Sequence, residues 1–402
     1  MRPFGQTITL AAARSIIDTA IHPIARVETV ALDAAHTRVL ARPAVATRDV
    51  PPFSRAAMDG YAVRAEDTAG ATSDTPITLR RVGTIYTAEV TDRALRPREC
   101  YEIATGAPMP PGADAVVIVE QTASHDAEAV QVFAPVASGQ NIGQKASDIA
   151  AAQTVLEDGA VLTSSRIGAL AAIGLPQVEV YARPRVAILS TGNEIVEPGD
   201  TLSPGALYDV NRFTVAAVVR EHGGEPVFIR TANDTLADLS RALDECLAHD
   251  MLVFSGGSSV GERDLILDVI GDRGRVLFHG ISVKPGKPTA FGLIDAKPVF
   301  GLPGYPTSCL TNAYVLLAPA VRKMAHLPPV LTRQVTLPLG GRVMSAPGRH
   351  QFYTVRIEDG VAMPAFKASG DITSMSLADG FIEIPIDVDV LDQGTPVTVT
   401  LF

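Results

Sequence analysis

The sequence predicts a multidomain α/β-plus-β protein. Three observations carry this: apolar strands alternate with helices beyond residue 183, short-strand segments lie on either side of that stretch, and the chain, at 402 residues, is too long for one ordinary domain.

Taken in order, Thr9 or Thr7 caps a first helix that runs to Ala20. Val27–Leu32 follows as a strand, and Asp33 is placed to cap a short helix over Ala34–Leu40. From Val45 to about residue 136 the pattern changes to short alternating runs (Ile77–Val82, Ala115–Glu120, Ala129–Phe133) between Pro- and Gly-rich turns. Helical signals return where Ser164-Ser165 precedes Ile167–Leu175, with Val178–Tyr181 as the next strand. These elements are like the opening segment in kind. We therefore expect a β-rich domain (45–139) inserted into a discontinuous N-terminal domain made of 1–44 and 140–182.

A different grammar begins after Arg183-Pro184-Arg185. The strands Val186–Leu189, Pro226–Ile229, Met251–Phe254 and Val299–Phe300 alternate with helices over Arg212–His222, Leu236–His249 (capped by Asp234), Leu265–Gly271 and Thr307–Ala325. This alternation predicts a three-layer α/β domain over 183–327, with a parallel sheet covered on both faces. After Pro328-Pro329 come the short strands Val335–Leu337, Gln351–Ile357, Gly380–Pro385 and Pro396–Leu401, which suggest a C-terminal β barrel over 328–402.

Composition narrows the function. The net charge is −10, there is no Trp and aromatics make up 5%, which argues against nucleic acid as a partner. A local cluster of Lys, Arg and backbone amides can still bind a small anion. Apolar stretches are far shorter than the ~20 residues of a membrane span, and Met1–Leu10 does not read as a signal peptide. A cytoplasmic protein without membrane contact is expected. Cys100, Cys246 and Cys309 lie outside any CxxC spacing, so they read as small buried hydrophobes in a reducing compartment rather than as disulfide or zinc ligands. The histidines lie in no ligand spacing.

In open α/β sheets the ligand lies beyond the carboxyl ends of the strands. Three polar segments are expected there. The first is Ser190-Thr191-Gly192-Asn193-Glu194, for which the plain alternative is a turn with a helix cap. The second, Ser255-Gly256-Gly257-Ser258 through Asp264, has paired glycines that let the backbone approach an anion, but it is no Walker A sequence. The third joins Lys284-Pro285-Gly286-Lys287-Pro288 to Gly301-Leu302-Pro303-Gly304-Tyr305-Pro306-Thr307. Two lysines stiffened by prolines are point charges for phosphate or another oxyanion, although a solvated turn would read the same way. The end of the helix at Thr307 offers a further anion site. Carboxylates such as Glu194, Asp234 and Asp264 next to phosphate oxygens make a hard-oxygen Mg²⁺ site suited to cleaving a phosphoanhydride.

Pro51-Pro52-Phe53-Ser54-Arg55-Ala56-Ala57-Met58-Asp59-Gly60-Tyr61-Ala62 and Ala104-Thr105-Gly106-Ala107-Pro108, followed in order by the three segments above, resemble the signatures of the molybdopterin molybdenumtransferase family, which includes the MoeA proteins and the gephyrin E domain. The resemblance runs over essentially the whole chain. It implies that the α/β domain binds a pterin and that the subunit is an elongated homodimer with its site at the dimer interface. It also implies a reaction: adenylylated molybdopterin and molybdate give molybdenum-molybdopterin and AMP, with Mg²⁺ assisting. The partners implied are the molybdopterin adenylyltransferase and the recipient molybdoenzymes or their chaperones.

Carried over by position, the resemblance places Asp59 and Thr105 at the site from the inserted domain. Glu194, Asp234 and Asp264 bind metal or position substrate, with Asn233 the rival to Asp234. Lys284 and Lys287 bind phosphate or molybdate, and Arg349 is a basic residue of the C-terminal domain. Ser374 is the matching serine there, with Ser369 its rival. Thr191, Gly192, Gly256, Gly257, Ser258, Pro303, Gly304 and Pro306 line the substrate.

There are departures. Ala56 stands where the signature has Ser, Ser258 where it has Val and Tyr305 where it has Asn, and 139–149 lacks an expected Arg and Glu. A paralogue with altered catalysis, a non-catalytic scaffold and an adenylyltransferase acting one step earlier are the competing readings. Retention of Asp59, Glu194, Asp264, Lys284 and Lys287 favours the transferase.

Overall fold

The structure, a computed structural model, describes residues 7–124, 128–192, 194–232, 236–256 and 265–402. The expected site residues Asp234, Gly257, Ser258 and Asp264, and the rival Asn233, lie outside these. The chain forms two compact units: one holds the residues up to Glu28, Thr37–Val39 and Tyr181–Phe402, and the other holds Thr29–His36 and Leu40–Val180.

In the first unit the central sheet has the strand order Glu225–Ala232, Arg185–Thr191, Met251–Ser255, Lys297–Leu302, Ala290–Ile294, Gly274–His279. The first four strands are parallel, as the alternation predicts. Ala290–Ile294 runs antiparallel to both its neighbours, so Gly274–His279 again points the same way as the first four; neither strand was expected from the sequence. The reversal is a hairpin with a two-residue turn. Ile294 pairs with Lys297, and the intervening Asp295 and Ala296 have φ of 49° and 62°. Such turns match the strand twist but usually carry Asn-Gly or Asp-Gly, so Asp-Ala gave little signal.

Both sheet faces are buried. Val186, Ile188, Met251, Val253 and Phe300 pack on one side against Val215, Val219, Leu316 and Val321. Ala187, Leu189, Leu252, Phe254 and Val299 pack on the other against Leu243, Cys246, Val269 and Ile270. Side chains alternate along a strand, so a continuous apolar run serves two helix layers at once. Each large side chain buried this way is worth roughly 1.5–3 kcal/mol. The first helix, Leu10–Ala20, is capped by Thr9, whose Oγ1 accepts from the N–H of Ala12 at 3.2 Å. It adds Leu10, Ala13 and Ile17 to the first of these cores.

The helix expected over Thr307–Ala325 is Pro306–Asn312, a π-helical turn Ala313–Leu317, then Ala318–Met324. Pro319 explains the irregular turn, because it has no N–H to donate and its ring crowds the carbonyl one turn back. No helix forms over Ala34–Leu40. Only a 3₁₀ turn, Leu32–Ala34, appears, and Thr37 has a φ of 64° that an α-helix does not accept.

The C-terminal segment forms a sheet with the order Val283–Lys284, His350–Glu358, Gly380–Ile384, Pro396–Leu401, Gln334–Pro338, and Val361–Pro364 pairs with His350–Glu358. Leu339, just past Gln334–Pro338, bridges Ala362 and so draws the sheet's two sides together around Val355, Ile382, Ile384 and Val399.

The second unit holds the six-stranded sheet Ala115–Ile118, Gly60–Val63, Glu99–Ile103, Ile77–Ile85, Ala129–Val132, Thr122–Ser124. It also pairs Ala44–Val45 with Thr154–Leu156, so the segments flanking that sheet meet. Among the described residues, no helix is long and apolar enough to cross a membrane.

Candidate functional site

Strand Arg185–Thr191 is the first of this sheet in chain order and has the sheet's second strand, Glu225–Ala232, on one side and its third, Met251–Ser255, on the other, which makes its carboxyl end the switch point of the sheet. Three strand tips are level there, since Ser190 pairs with Ser255 and Ser255 with Leu302. The loops that follow touch. Gly256 has φ +103° and lies so close to Thr191 that a Cβ would meet the Thr191 carbonyl at 2.4 Å. A Cβ on Gly304 would lie 3.6 Å from Cα of Gly256. At Gly256 only glycine lets the backbones pack so tightly, whereas at Gly304 the loops are in ordinary contact. Gly192, at φ +137°, has the Glu194 carboxylate folded over it, with both oxygens 2.8 Å from where a Cβ would be.

Buried polar atoms collect around these tips. Ser190 and Thr191 are each 3% exposed, Asp209 5% and Asn211 8%. Ser190 Oγ, Thr191 Oγ1, Asp209 Oδ2 and Asn211 Oδ1 have no hydrogen-bond partner among the described residues, although Arg212 Nε lies 3.9 Å from Asp209 Oδ2. Buried polar groups are normally hydrogen-bonded, and leaving one unpaired costs about 1–3 kcal/mol. Four around one set of strand ends are the mark of a site built to meet a polar ligand.

Asp209 and Asn211 are not among the residues expected from the sequence, in which the helix is placed from Arg212 without a capping residue. The helix is Asn211–Glu221, and Asp209 Oδ1 accepts from the N–H of Arg212 at 3.0 Å. An Asp placed three residues before that amide was the available signal.

Helix Pro306–Asn312 supports the remaining loops. On one side the Ser255 hydroxyl lies 3.8 Å from the Cys309 sulfur. On another, Asn312 Nδ2 donates to the Ser308 carbonyl at 2.8 Å and lies where a Cβ on Gly286 would be, so the Lys284–Lys287 loop rests on it. Lys284 belongs to the short strand Val283–Lys284, in register with His350-Gln351, which puts it beside Arg349. Lys284, Lys287 and Arg349 are all half-buried.

The anion site expected at Thr307 is already filled by protein. The N–H of Thr307 donates to the Ser369 carbonyl at 3.0 Å and its hydroxyl to the Asp371 carbonyl at 2.8 Å. Ser374 is fully buried nearby, and its Oγ accepts from the N–H of Lys367 at 3.0 Å.

Thr191, Gly192, Glu194, Gly256, Pro303, Gly304, Pro306, Lys284, Lys287, Arg349 and Ser374 thus all lie in the first unit, on loops joined through the strand tips and this helix. Burial pushes the Cys309 thiol up to about 12, so it is no nucleophile. Among the described residues there is no group of three or more His, Cys, Asp or Glu placed to hold a metal ion. The donors present at the tips, the Glu194 carboxylate with Asp209 Oδ2 and the two hydroxyls, are hard oxygens of the kind Mg²⁺ takes.

Asp59 and Thr105 lie in the second unit, both exposed and bonded to one another. Ala56 is 1% exposed beside them in the chain, where a serine hydroxyl would need a buried partner.

Three family models match the chain in order: the MoeA N-terminal region (domain I and II) over residues 8–174, a probable molybdopterin binding domain over 187–323, and the MoeA C-terminal region (domain IV) over 336–402. A protein of Mycobacterium tuberculosis named molybdopterin molybdenumtransferase 2 is 34% identical over 382 residues, covering 92% of this chain and 94% of its own length. The molybdopterin molybdenumtransferase of a Nostoc species is 34% identical over 305 residues, with 75% and 70% covered. The crystal structure of a molybdopterin biosynthesis MoeA protein from Pyrococcus horikoshii superposes with a TM-score of 0.85 at 37% identity, covering 98% of this chain and 99% of that one.

Proposed function

Because this chain belongs to the molybdopterin molybdenumtransferase (MoeA) family, we propose that it inserts molybdenum from molybdate into adenylylated molybdopterin, releasing AMP and giving molybdenum cofactor. The observation that carries this reading is the cluster of buried polar atoms without a hydrogen-bond partner among the described residues at the strand tips, joined through one helix to the half-buried Lys284 and Lys287. A ligand that needs both specific hydrogen bonds and several positive charges suits this surface.

In this reading Thr191, Gly192, Gly256, Pro303, Gly304 and Pro306 line the pterin nucleotide. Lys284, Lys287 and Arg349 take its phosphate and the molybdate oxyanion, and Glu194 orients the phosphoanhydride that breaks as AMP leaves. Gly257 and Ser258, with Asp234 and Asp264, complete the set in sequence but lie outside the described residues. Mg²⁺ would be held by Glu194 with Asp234 and Asp264, and would offset charge on the leaving oxygens. The protein's cysteines are not needed to carry molybdenum, because the pterin's own dithiolene sulfurs bind it. A second copy of the chain supplies Asp59 and Thr105 in a homodimer. Ser374 serves by holding the segment at Lys367. The proposed setting is cytoplasmic, between an adenylyltransferase that makes the substrate and the molybdoenzymes that accept the product.

The test is direct. Purified protein with adenylylated molybdopterin, Mg²⁺ and molybdate is expected to release AMP and yield cofactor that activates an apo-molybdoenzyme. Absence of both products would leave the scaffold reading in its place.

A further inference from the structure

We infer that Asn211 and Arg212, adjacent in the first turn of helix Asn211–Glu221, act as one clamp that fixes the separation of two walls of the site. One wall is the arm that begins at Glu194 and the other is the loop at Gly304. The inference rests on the reading above, because it takes these walls to enclose the substrate.

The arm leaves the sheet after Gly192 and returns at Asp209. It is closed on itself: the N–H of Leu207 donates to the Glu194 carbonyl at 2.7 Å, Ile195-Val196 pairs with Leu207-Tyr208, and the N–H of Asp209 donates to the Val196 carbonyl at 2.9 Å. Its tie to the rest of the unit is Arg212, whose two terminal nitrogens both bond the Glu197 carboxylate, three residues from Glu194. The Arg212 side chain is only 13% exposed, and its guanidinium carbon lies 4.7 Å from the Phe213 ring centroid and 5.5 Å from that of Phe228. A two-pronged bond between planar groups, with one group held against aromatic rings, fixes direction as well as distance.

Asn211 does the same for the other wall. Its Nδ2 donates to the Gly304 carbonyl at 2.8 Å. The peptide is planar and trans, so fixing that carbonyl turns the N–H of Tyr305 to the opposite side. Neighbouring residues on a helix diverge by about 100°, so a single turn, locked by Asp209, reaches both walls. Asn211 Oδ1 is left buried without a partner among the described residues. Neither residue is assigned to the reacting groups. Both are positioning residues.

The full-length chain carrying Asn211→Ala, Arg212→Lys, Arg212→Ala or the double Ala change would be assayed for AMP release, thermal midpoint and backbone amide exchange. In the Arg212 variants, misplacing a wall should lower kcat by about tenfold or more with a much smaller change in KM; Asn211→Ala also removes the Oδ1 that has no hydrogen-bond partner among the described residues, so its KM should rise as well as its kcat fall, and in all of them the thermal midpoint stays close to wild type. Lys at 212 keeps the charge but not the two-pronged geometry, so it should fall between Arg and Ala. Since either change opens the same clamp, the double variant should lose less than the product of the two single losses. Exchange should quicken over 194–208 in the Arg212 variants and over 303–309 in Asn211→Ala. Wild-type kcat in the single variants, or fully multiplicative losses, would overturn the clamp. If the wild-type chain releases no AMP, the functional reading fails, and exchange alone then decides the clamp: faster exchange in those two segments supports it, and unchanged exchange overturns it.

Discussion

Asp59 Oδ1 accepts two hydrogen bonds from the same residue, one from the backbone N–H of Thr105 at 2.7 Å and one from its hydroxyl at 2.9 Å. The pair joins two sequence signatures that lie 46 positions apart and meet only in the folded second unit.

That geometry sets a pH dependence. The backbone bond first, and the hydroxyl second, hold the Asp59 carboxyl below the usual carboxylate range. A lowered value means the charge is kept until pH falls through that lowered value, so Asp59 is ionised at neutral pH. Thr105→Val removes the hydroxyl donor and keeps the backbone one. The Asp59 titration should then move up towards the ordinary value of about 3.9, and any acid limb of activity that depends on Asp59 should move with it. An NMR titration of the carboxyl carbon in both forms reads this out, and identical midpoints would contradict it.

Gly192 is the strand-tip glycine whose replacement bears most directly on Glu194. Its φ of +137° is one that other residues rarely adopt, and a Cβ would meet both Glu194 carboxylate oxygens at 2.8 Å. Gly192→Ala is therefore expected to push the carboxylate away and lower kcat/KM by at least about tenfold, with a destabilisation of roughly 1–3 kcal/mol. Gly199→Ala is the control. It has a comparable φ of +103° and open space around it, so it should show the backbone cost alone. Equal activity losses in the two variants would show that Glu194 is not what matters.

Asp250 provides a stability test away from the site. Its carboxylate accepts from both terminal nitrogens of Arg26, at 3.2 and 3.0 Å, and from the N–H of Arg185 at 2.7 Å. Burial raises its pKa, but the bonds from Arg26 and Arg185 outweigh burial and leave it lowered. The sign follows from linkage. A lowered folded value gives stability that is fully present above the unfolded value of about 3.9 and is lost as pH falls through the folded one. Asp250→Asn should thus cost on the order of 1–3 kcal/mol at neutral pH. The gap from wild type should be flat down to about pH 5 and should shrink in stronger acid. Denaturant unfolding at a series of pH values measures the gap, and a gap that widens on acidification would reverse the argument.

The parallel part of the α/β sheet was legible because strands buried on both faces leave continuous apolar runs such as Val186–Leu189, and the loops beyond them carry glycines whose close approaches the structure now shows. Other features left no such trace. Strand Ala290–Ile294 runs antiparallel to Lys297–Leu302 and is joined to it through Asp295-Ala296, a pair without the usual turn residues. Asp33 before Ala34–Leu40 looked like a helix cap, yet tertiary pairing won: Leu40 bridges Val180 in the second unit. Asp209 and Asn211 went unseen because their importance lies in burial and in a bond to Gly304, some ninety positions away, which no local spacing encodes.

Tyr305 is the departure from the family signature that the structure makes most testable. The backbone on either side of the ring is tied down. The Gly304 carbonyl is held by Asn211, the Tyr305 carbonyl accepts from the N–H of Cys309 at 2.9 Å, and Pro306 fixes the next φ. The side chain itself is 68% exposed, and a Cβ on Gly370 of the C-terminal segment would lie 3.7 Å from the ring. A ring so exposed adds little to stability, so Tyr305→Asn should change the free energy of unfolding by no more than about 0.5 kcal/mol. Its effect should fall on the ligand. An exposed aromatic face on a tied-down backbone beside the strand tips can stack on a planar heterocycle for about 0.5–1.5 kcal/mol, so Tyr305→Asn should raise KM by roughly two- to tenfold at nearly constant kcat. Tyr305→Phe keeps the face and loses only the hydroxyl, so it should match wild type. A fall in kcat with KM unchanged would instead assign the tyrosine to the chemistry, and equal kinetics in all three proteins would leave the substitution without consequence for the site.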